Sequence, residues 1–409
     1  MRRIPRRSFL EACAAATAGL GAAPSLEGWV PMSKQPHVVV VGAGAFGGWT
    51  ALLLLRRGAR VTLLDAWGPG NSRSSSGGET RVIRATYGPR AVYTRMAARA
   101  LALWKEHEHR WGRKLYHAIG VLWLVEGKGD YERAALPILR DAGVAFDELT
   151  AGDVAGRYPQ INTDNVRWAI FERDAGFLTA RRACAAVLEA FLAAGGEYRQ
   201  LGAQPGAVTG GDGLPGVTLS DGTTLRADQY VFACGPWLGT LFRDLLGKVI
   251  LSTRQEVFFF GTPPGDGRFQ EGALPVWADH GPRFMYGIPG NEWRGFKVAD
   301  DTRGVPFDPT SGERIVSPEQ LAAIREYLAY RFPGLAGAPL VESRVCQYED
   351  SVDEHFIIDR HPRAANVWLV GGGSGHGFKH GPAVGELVAR LVLEGGDPDP
   401  SFRLSRFAR

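Results

Sequence analysis

Residues 38–48 read Val38-Val39-Val40-Val41-Gly42-Ala43-Gly44-Ala45-Phe46-Gly47-Gly48, and this stretch decides the fold. Four β-branched residues in a row predict a strand buried on both faces, as in a parallel sheet. The spacing predicts a helix over Trp49 to Arg57, stopped by Gly58, and a second strand over Val61 to Leu64 that ends at Asp65. Gly42 permits the tight turn, Gly44 lets the backbone approach a pyrophosphate, and Gly47 lets helix pack on strand. Amides at the helix start face the phosphates, and the helix dipole favours their negative charge. Asp65 lies 21 residues beyond Gly44, where an acid accepts hydrogen bonds from a ribose diol. Strand, glycines, helix, strand and acid fall in register, which reads as a dinucleotide site. The pattern alone does not separate FAD from NAD; Asp65 disfavours NADP, because a carboxylate repels a 2′-phosphate.

The chain of 409 residues is 45% hydrophobic and 22% charged. That composition excludes disorder and suits two or three domains. Four Cys exclude a disulfide scaffold and leave too few paired spacings for a structural zinc, so no metal is expected. The net charge is +4, and half of it falls in the first thirty residues, which leaves no case for a nucleic-acid partner. Those residues read as an export signal over 1–28, in which Arg6-Arg7-Ser8-Phe9-Leu10 is a twin-arginine motif. The expectation is recognition by the twin-arginine export machinery and a periplasmic or secreted protein. No stretch has the roughly 20 apolar residues of a membrane helix, so stable membrane insertion is not expected.

Further strands are expected at Val217 to Leu219 and Thr223 to Leu225, joined by an Asp221-Gly222 turn, at Tyr230 to Ala233, and at Val367 to Val370. The last opens into Gly371-Gly372-Gly373-Ser374-Gly375-His376-Gly377, with a helix over Pro382 to Leu393. Nucleotide-domain pieces therefore lie at both ends of the chain and near its middle.

Four blocks, 38–48 (VVVVGAGAFGG), 77–88 (GGETRVIRATYG), 345–362 (VCQYEDSVDEHFIIDRHP) and 373–387 (GSGHGFKHGPAVGEL), carry a resemblance to a known family. The chain resembles the flavin-dependent amine oxidases of the D-amino-acid oxidase superfamily, and the monomeric sarcosine oxidase branch in particular. The resemblance implies an α/β + α+β fold: a Rossmann-like FAD-binding domain of the glutathione-reductase type and a discontinuous, mostly antiparallel-sheet substrate domain. Residues 36–100, 172–243 and 346–396 would form the first, and 101–171 and 244–345 the second. It implies that Gly42, Gly44, Gly47, Asp65, Arg81, Gly375, His376 and Gly377 hold FAD, with a thioether from Cys346 to the flavin. A thiolate is the nucleophile such a bond needs. Cys184 and Cys234 read as core. It implies that Arg84 and Lys379 bind a substrate carboxylate, that Tyr286 and Tyr348 wall the cavity, and that Lys297 activates oxygen. A helix start after the Gly371–Gly377 segment would favour negative charge on the ring.

The chain departs from the family at Asp301, where the family carries His, at Ser76-Gly77 in place of a His pair, at Glu79 in place of Asp, and at His380 in place of an aromatic. Asp301 would favour a second positive group on the substrate, or face solvent. The resemblance implies an oxidase of carboxylate-bearing secondary amines (sarcosine, other N-methyl amino acids, cyclic imino acids) that releases hydrogen peroxide. The alternatives are an exported dehydrogenase that reduces a quinone or other carrier, and a flavoprotein that binds without turnover.

Overall fold

Four β-branched residues have no polar side chain to offer water, and the strand His37–Val41 is buried along its whole length at the middle of a sheet. The computed structural model describes residues 35–208 and 213–408; the expected export signal over 1–28 lies outside them. His37–Val41 pairs in parallel with Arg60–Leu64 on one side and Gln229–Phe232 on the other. Glu197–Arg199 extends the sheet beyond Arg60–Leu64, and Ala364–Gly371 extends it beyond Gln229–Phe232, both in parallel. Ile357–His361 closes that second edge as the antiparallel sixth strand.

The turn after His37–Val41 takes the shape its glycines predict. Gly42 has φ +105°, and a Cβ there would lie 2.3 Å from the Ala233 carbonyl oxygen. A Cβ on Gly47 would lie 1.9 Å from the Gly42 carbonyl oxygen, so only glycine lets the helix Ala45–Arg56 start this close to the strand. That helix packs against Gly381–Glu394, the expected C-terminal helix. Between them and the helix Ala91–Trp111, Trp49 meets Trp104 edge to face at 5.1 Å. Trp49 is 1% exposed, and truncating it to Ala costs about 3–5 kcal/mol.

The second sheet has eight strands, in the order Leu340–Ser351, Ile250–Phe260, Phe296–Asp300, Phe284–Ile288, Val276–His280, Val121–Val125, Trp168–Glu172 and Phe146–Thr150. All its pairs are antiparallel except Val276–His280 with Val121–Val125. One face is covered by the helix Pro318–Arg331, which Ser317 caps by accepting the Gln320 amide at 3.1 Å. Period-two alternation then sorts the strand Phe296–Asp300. Phe296 and Val298 enter the core with Trp277, Ile324 and Phe332, while Lys297, Ala299 and then Asp301 line a cavity on the opposite face. The strand Leu340–Ser351 runs through residue 346 and presents Cys346 and Tyr348 to the same cavity. The fold is thus mixed α/β with several sheets, as expected. Among the described residues no helix is long and apolar enough to cross a membrane.

Candidate active site

Two cavities meet at Arg81, Tyr348, Gly375 and Phe378. The larger, about 350 Å³, extends to Gly42, Gly44 and Asp65. Asp65 is fixed by three backbone amides: Ala43 at 2.8 Å on one oxygen, Trp67 at 2.9 Å and Gly68 at 2.8 Å on the other. Burial raises its carboxyl above the usual range, although those amides oppose the shift. Gly44 gives the helix Ala45–Arg56 no side-chain cap, and Ser76 Oγ accepts only the Ala45 amide, at 2.9 Å. The helix start is therefore open to an anion. A cavity lined by an uncapped helix start and a buried acid fits FAD. Gly47 stands behind the cavity as a packing residue, as the motif requires.

The Gly371–Gly377 segment differs in detail from expectation. The His376 amide is already spent on the Gly373 carbonyl at 2.9 Å, and its ring contacts Tyr87 Oη (3.2 Å) and the Glu354 carbonyl (3.1 Å). His376 faces the smaller cavity rather than the larger. A 3-10 turn, Phe378–His380, intervenes before the helix begins at Gly381. Cys184 is buried, as read; Cys234 is half-buried and lines the larger cavity. Burial pushes the Cys184 thiol up to about 12 and Cys234 higher still.

The smaller cavity, about 90 Å³, collects Arg81, Arg84, Tyr286, Lys297, Asp301, Cys346, Tyr348, His376 and Lys379. Residues more than 290 positions apart in sequence are brought together by the junction of the two sheets. Arg84 lies over the rings of Tyr87 and Trp123, its guanidinium carbon 4.7 Å from each centroid, and donates to the Thr86 carbonyl. Glu172 anchors that segment by accepting from the Ala85 and Thr86 amides at 2.7 and 2.9 Å. Lys379, 4% exposed, donates to Tyr87 Oη and the His376 carbonyl, both at 2.8 Å. An ammonium has three N–H donors, so one remains for a ligand. Burial, then the Arg84 charge, holds this ammonium well below the usual lysine range. Among the described residues neither Arg84 nor Lys379 is in an ion pair within 4 Å.

Lys297 is 3% exposed and donates to the Thr80 carbonyl at 3.0 Å and to Thr80 Oγ1 at 3.4 Å. Burial, reinforced by Arg81, lowers its ammonium to about 7. Asp301 is not its partner. Asp301 instead accepts from Tyr348 Oη at 2.8 Å and lies 3.5 Å from Arg303. Burial raises its carboxyl, and the Arg303 charge opposes that. About a quarter of the Asp301 side chain is exposed, and it lines the cavity. Arg81 donates to the Gly77 and Ser75 carbonyls and to Cys346 Sγ at 3.6 Å.

Residues 37–391 match the DAO family, described as FAD dependent oxidoreductase. The chain belongs to the DAO family of FAD-dependent oxidoreductases. It is 30% identical over 374 residues to monomeric sarcosine oxidase of Streptomyces avermitilis, covering 90% of this chain and 96% of that protein. It is 30% identical to human peroxisomal sarcosine oxidase (90% and 95% covered) and 28% to N-methyl-L-tryptophan oxidase of Salmonella typhi (91% and 99%). Among solved structures, L-proline dehydrogenase from P. horikoshii superposes with a TM-score of 0.79 at 20% identity, over 91% of this chain and 98% of that one. An Amadoriase I mutant from Aspergillus fumigatus reaches 0.77 at 22% identity, over 94% and 91%; both show the fold. As a DAO-family enzyme, this chain is an FAD-dependent oxidoreductase that acts on CH–NH bonds.

In this DAO-family site four residues carried no reading in the sequence: Tyr87, Thr80, Arg303 and Glu349. Tyr87 and Thr80 lie inside the 77–88 block, and Glu349 lies three residues after Cys346. Their signal was present, masked by more conspicuous neighbours. Arg303 had none: it joins Asp350 (2.9 Å), Glu354 (3.4 Å) and the Ser374 carbonyl (3.0 Å), contacts that only the tertiary fold creates.

Proposed function

We propose that this enzyme oxidises secondary amines bearing a carboxylate, N-methyl amino acids and cyclic imino acids, with oxygen as acceptor and hydrogen peroxide as product. The observation that carries the proposal is the pair Arg84 and Lys379, two basic side chains in no ion pair within 4 Å among the described residues, facing one cavity with aromatic walls. Two such charges repel until an anion arrives, so a carboxylate gains from both and relieves their mutual cost. Arg84, lying over Tyr87 and Trp123, offers its fork; Lys379 offers its third N–H. Tyr286 and Tyr348 shape the walls and exclude water from the bound amine.

FAD held along Gly42, Gly44 and Asp65 would supply the hydride acceptor for the carbon attached to nitrogen. Lys297, on the strand Phe296–Asp300, presents a buried cation that favours anionic oxygen formed beside it. Arg81, donating to Cys346 Sγ at 3.6 Å, supports a thioether between Cys346 and the cofactor. Arg6-Arg7-Ser8-Phe9-Leu10 supports export of the folded protein by the twin-arginine route to the periplasm or beyond.

A panel of secondary amines, with and without a carboxylate, scored by peroxide release tests the reading. Release confined to carboxylate-bearing amines supports it. Rapid dye reduction with slow oxygen uptake would replace oxygen by a carrier such as a quinone.

A further inference from the structure

The strand that carries Cys346 and Tyr348 ends in a group that the chemistry above does not use. Glu349 is 7% exposed and lines the larger cavity. Its Oε1 accepts the Gly373 amide at 3.1 Å. Its Oε2 has no hydrogen-bond partner. That oxygen lies where Gly235 and Gly371 leave room: Cβ atoms there would be 3.2 and 3.9 Å from it. A buried polar atom without a partner is costly, and native proteins rarely tolerate one unless a ligand completes it.

The surroundings decide its charge state. On its own strand Asp350 is the charged neighbour, and it is occupied with Arg303 at 2.9 Å and Thr253 Oγ1 at 2.5 Å. From the segment after Gln229–Phe232 comes Cys234, a thiol kept neutral by burial. From the glycine-rich segment come the Gly373 amide and Ser374, whose amide donates to the Glu349 carbonyl at 3.0 Å. Asp65 lines the same cavity. No cation forms an ion pair with Glu349 among the described residues. Burial, with a smaller push from Asp350, raises its carboxyl to about 8 against the pull of the Gly373 amide. FAD would also bring a diphosphate into the cavity, so an ionised Glu349 would add a further negative charge in a low-dielectric space.

We propose that Glu349 is a cofactor ligand in its neutral form: Oε2 carries a proton and donates it to an oxygen of FAD, so that loading of the cofactor takes up one proton at alkaline pH. Oε1, already accepting from Gly373, is the carbonyl oxygen of the acid; Oε2 is its hydroxyl. The inference rests on FAD filling this cavity, and on neither the amine substrate nor the thioether proposed above.

The test measures FAD dissociation constants from pH 6.5 to 9.5, by quenching of flavin fluorescence. The full-length chain is used in a Cys346→Ser background, where no thioether can form. The dissociation constant should be flat below pH 7.5 and rise up to tenfold per pH unit above about 8, on the order of thirtyfold by pH 9.5. Glu349→Gln keeps an N–H donor and cannot ionise. It should bind FAD at pH 6.5 within a few-fold of its parent and lose the alkaline rise. Glu349→Met, with no donor, should bind about tenfold more weakly at pH 6.5 and also stay flat. A parent constant that is flat or falls with rising pH overturns the proposal. So does the same alkaline slope in Glu349→Gln, because another group would then own it. Should either variant fail to fold, the parent curve still decides.

Discussion

Replacing Lys297 by Met removes the buried cation whose Nζ lies 3.0 Å from the Thr80 carbonyl and leaves a side chain of similar length. Removing one preorganised charge of this kind costs about 3–4 kcal/mol of barrier, a factor of ~10²–10³. The oxygen half-reaction should slow by that factor, while reduction by amine changes little, because Arg84 and Lys379 bind the substrate. The same lysine sets a pH profile. Burial and the Arg81 charge lower its ammonium to about 7. The oxygen rate constant should therefore fall with rising pH, with a midpoint of about 7, toward the floor set by Lys297→Met, whose own profile is flat. Stability changes with the opposite sign. Between about 7 and 10.5 the unfolded chain binds the proton and the folded chain does not, so this lysine makes folding more favourable as pH rises. Lys297→Met should melt no lower than the parent at pH 7. Stopped-flow spectroscopy of the two half-reactions is the assay. An unchanged oxygen rate constant in Lys297→Met refutes the role given to this residue.

Acid precipitation of the yellow protein should retain colour in the pellet, and Cys346→Ser should release it to the supernatant; flavin that washes out of the unaltered protein contradicts the thioether. Lys379→Met should raise KM for a carboxylate-bearing amine by about 10–100-fold, the worth of one charged hydrogen bond of ~1.5–3 kcal/mol, and leave kcat less affected; steady-state kinetics decide. Arg6→Lys with Arg7→Lys should strand folded precursor in the cytoplasm, seen by fractionation and immunoblot, whereas normal export would show that another route reads the signal. Glu349→Gln apoprotein should match its parent in chemical denaturation at pH 4.5 and exceed it in stability at pH 8, because a carboxyl raised to about 8 penalises folding increasingly over that window.

The parallel core was legible because its signals are local. Val38–Val41, Gly42 and Gly47 dictate a buried strand, a turn and a close helix start within ten residues, with no reference to the rest of the chain. The hairpin at Asp221-Gly222 and the strand at Val367 were readable for the same reason, and Gly222 has φ +85°. The substrate cavity was legible only through the resemblance. Nothing in the spacing of Arg84, Lys297 and Lys379 announces that one cavity gathers them; the junction of the two sheets does. Within a strand, alternation could have placed Lys297 and Asp301 on one face, but not Tyr348 as the donor to Asp301. Arg303 was illegible because its partners lie on three separate segments. Glu349 stands inside the 345–362 block, but only the fold shows it buried against Gly373.

The central claim is that Arg84 and Lys379 read the carboxylate of an amine that the enzyme oxidises. Anaerobic bleaching of the flavin absorbance, by an N-methyl amino acid and by its methyl ester at equal concentration, tests this most directly. The account predicts rapid bleaching by the acid and bleaching slower by two orders of magnitude or more by the ester, which lacks the anion both cations await. Equal rates for acid and ester would contradict it.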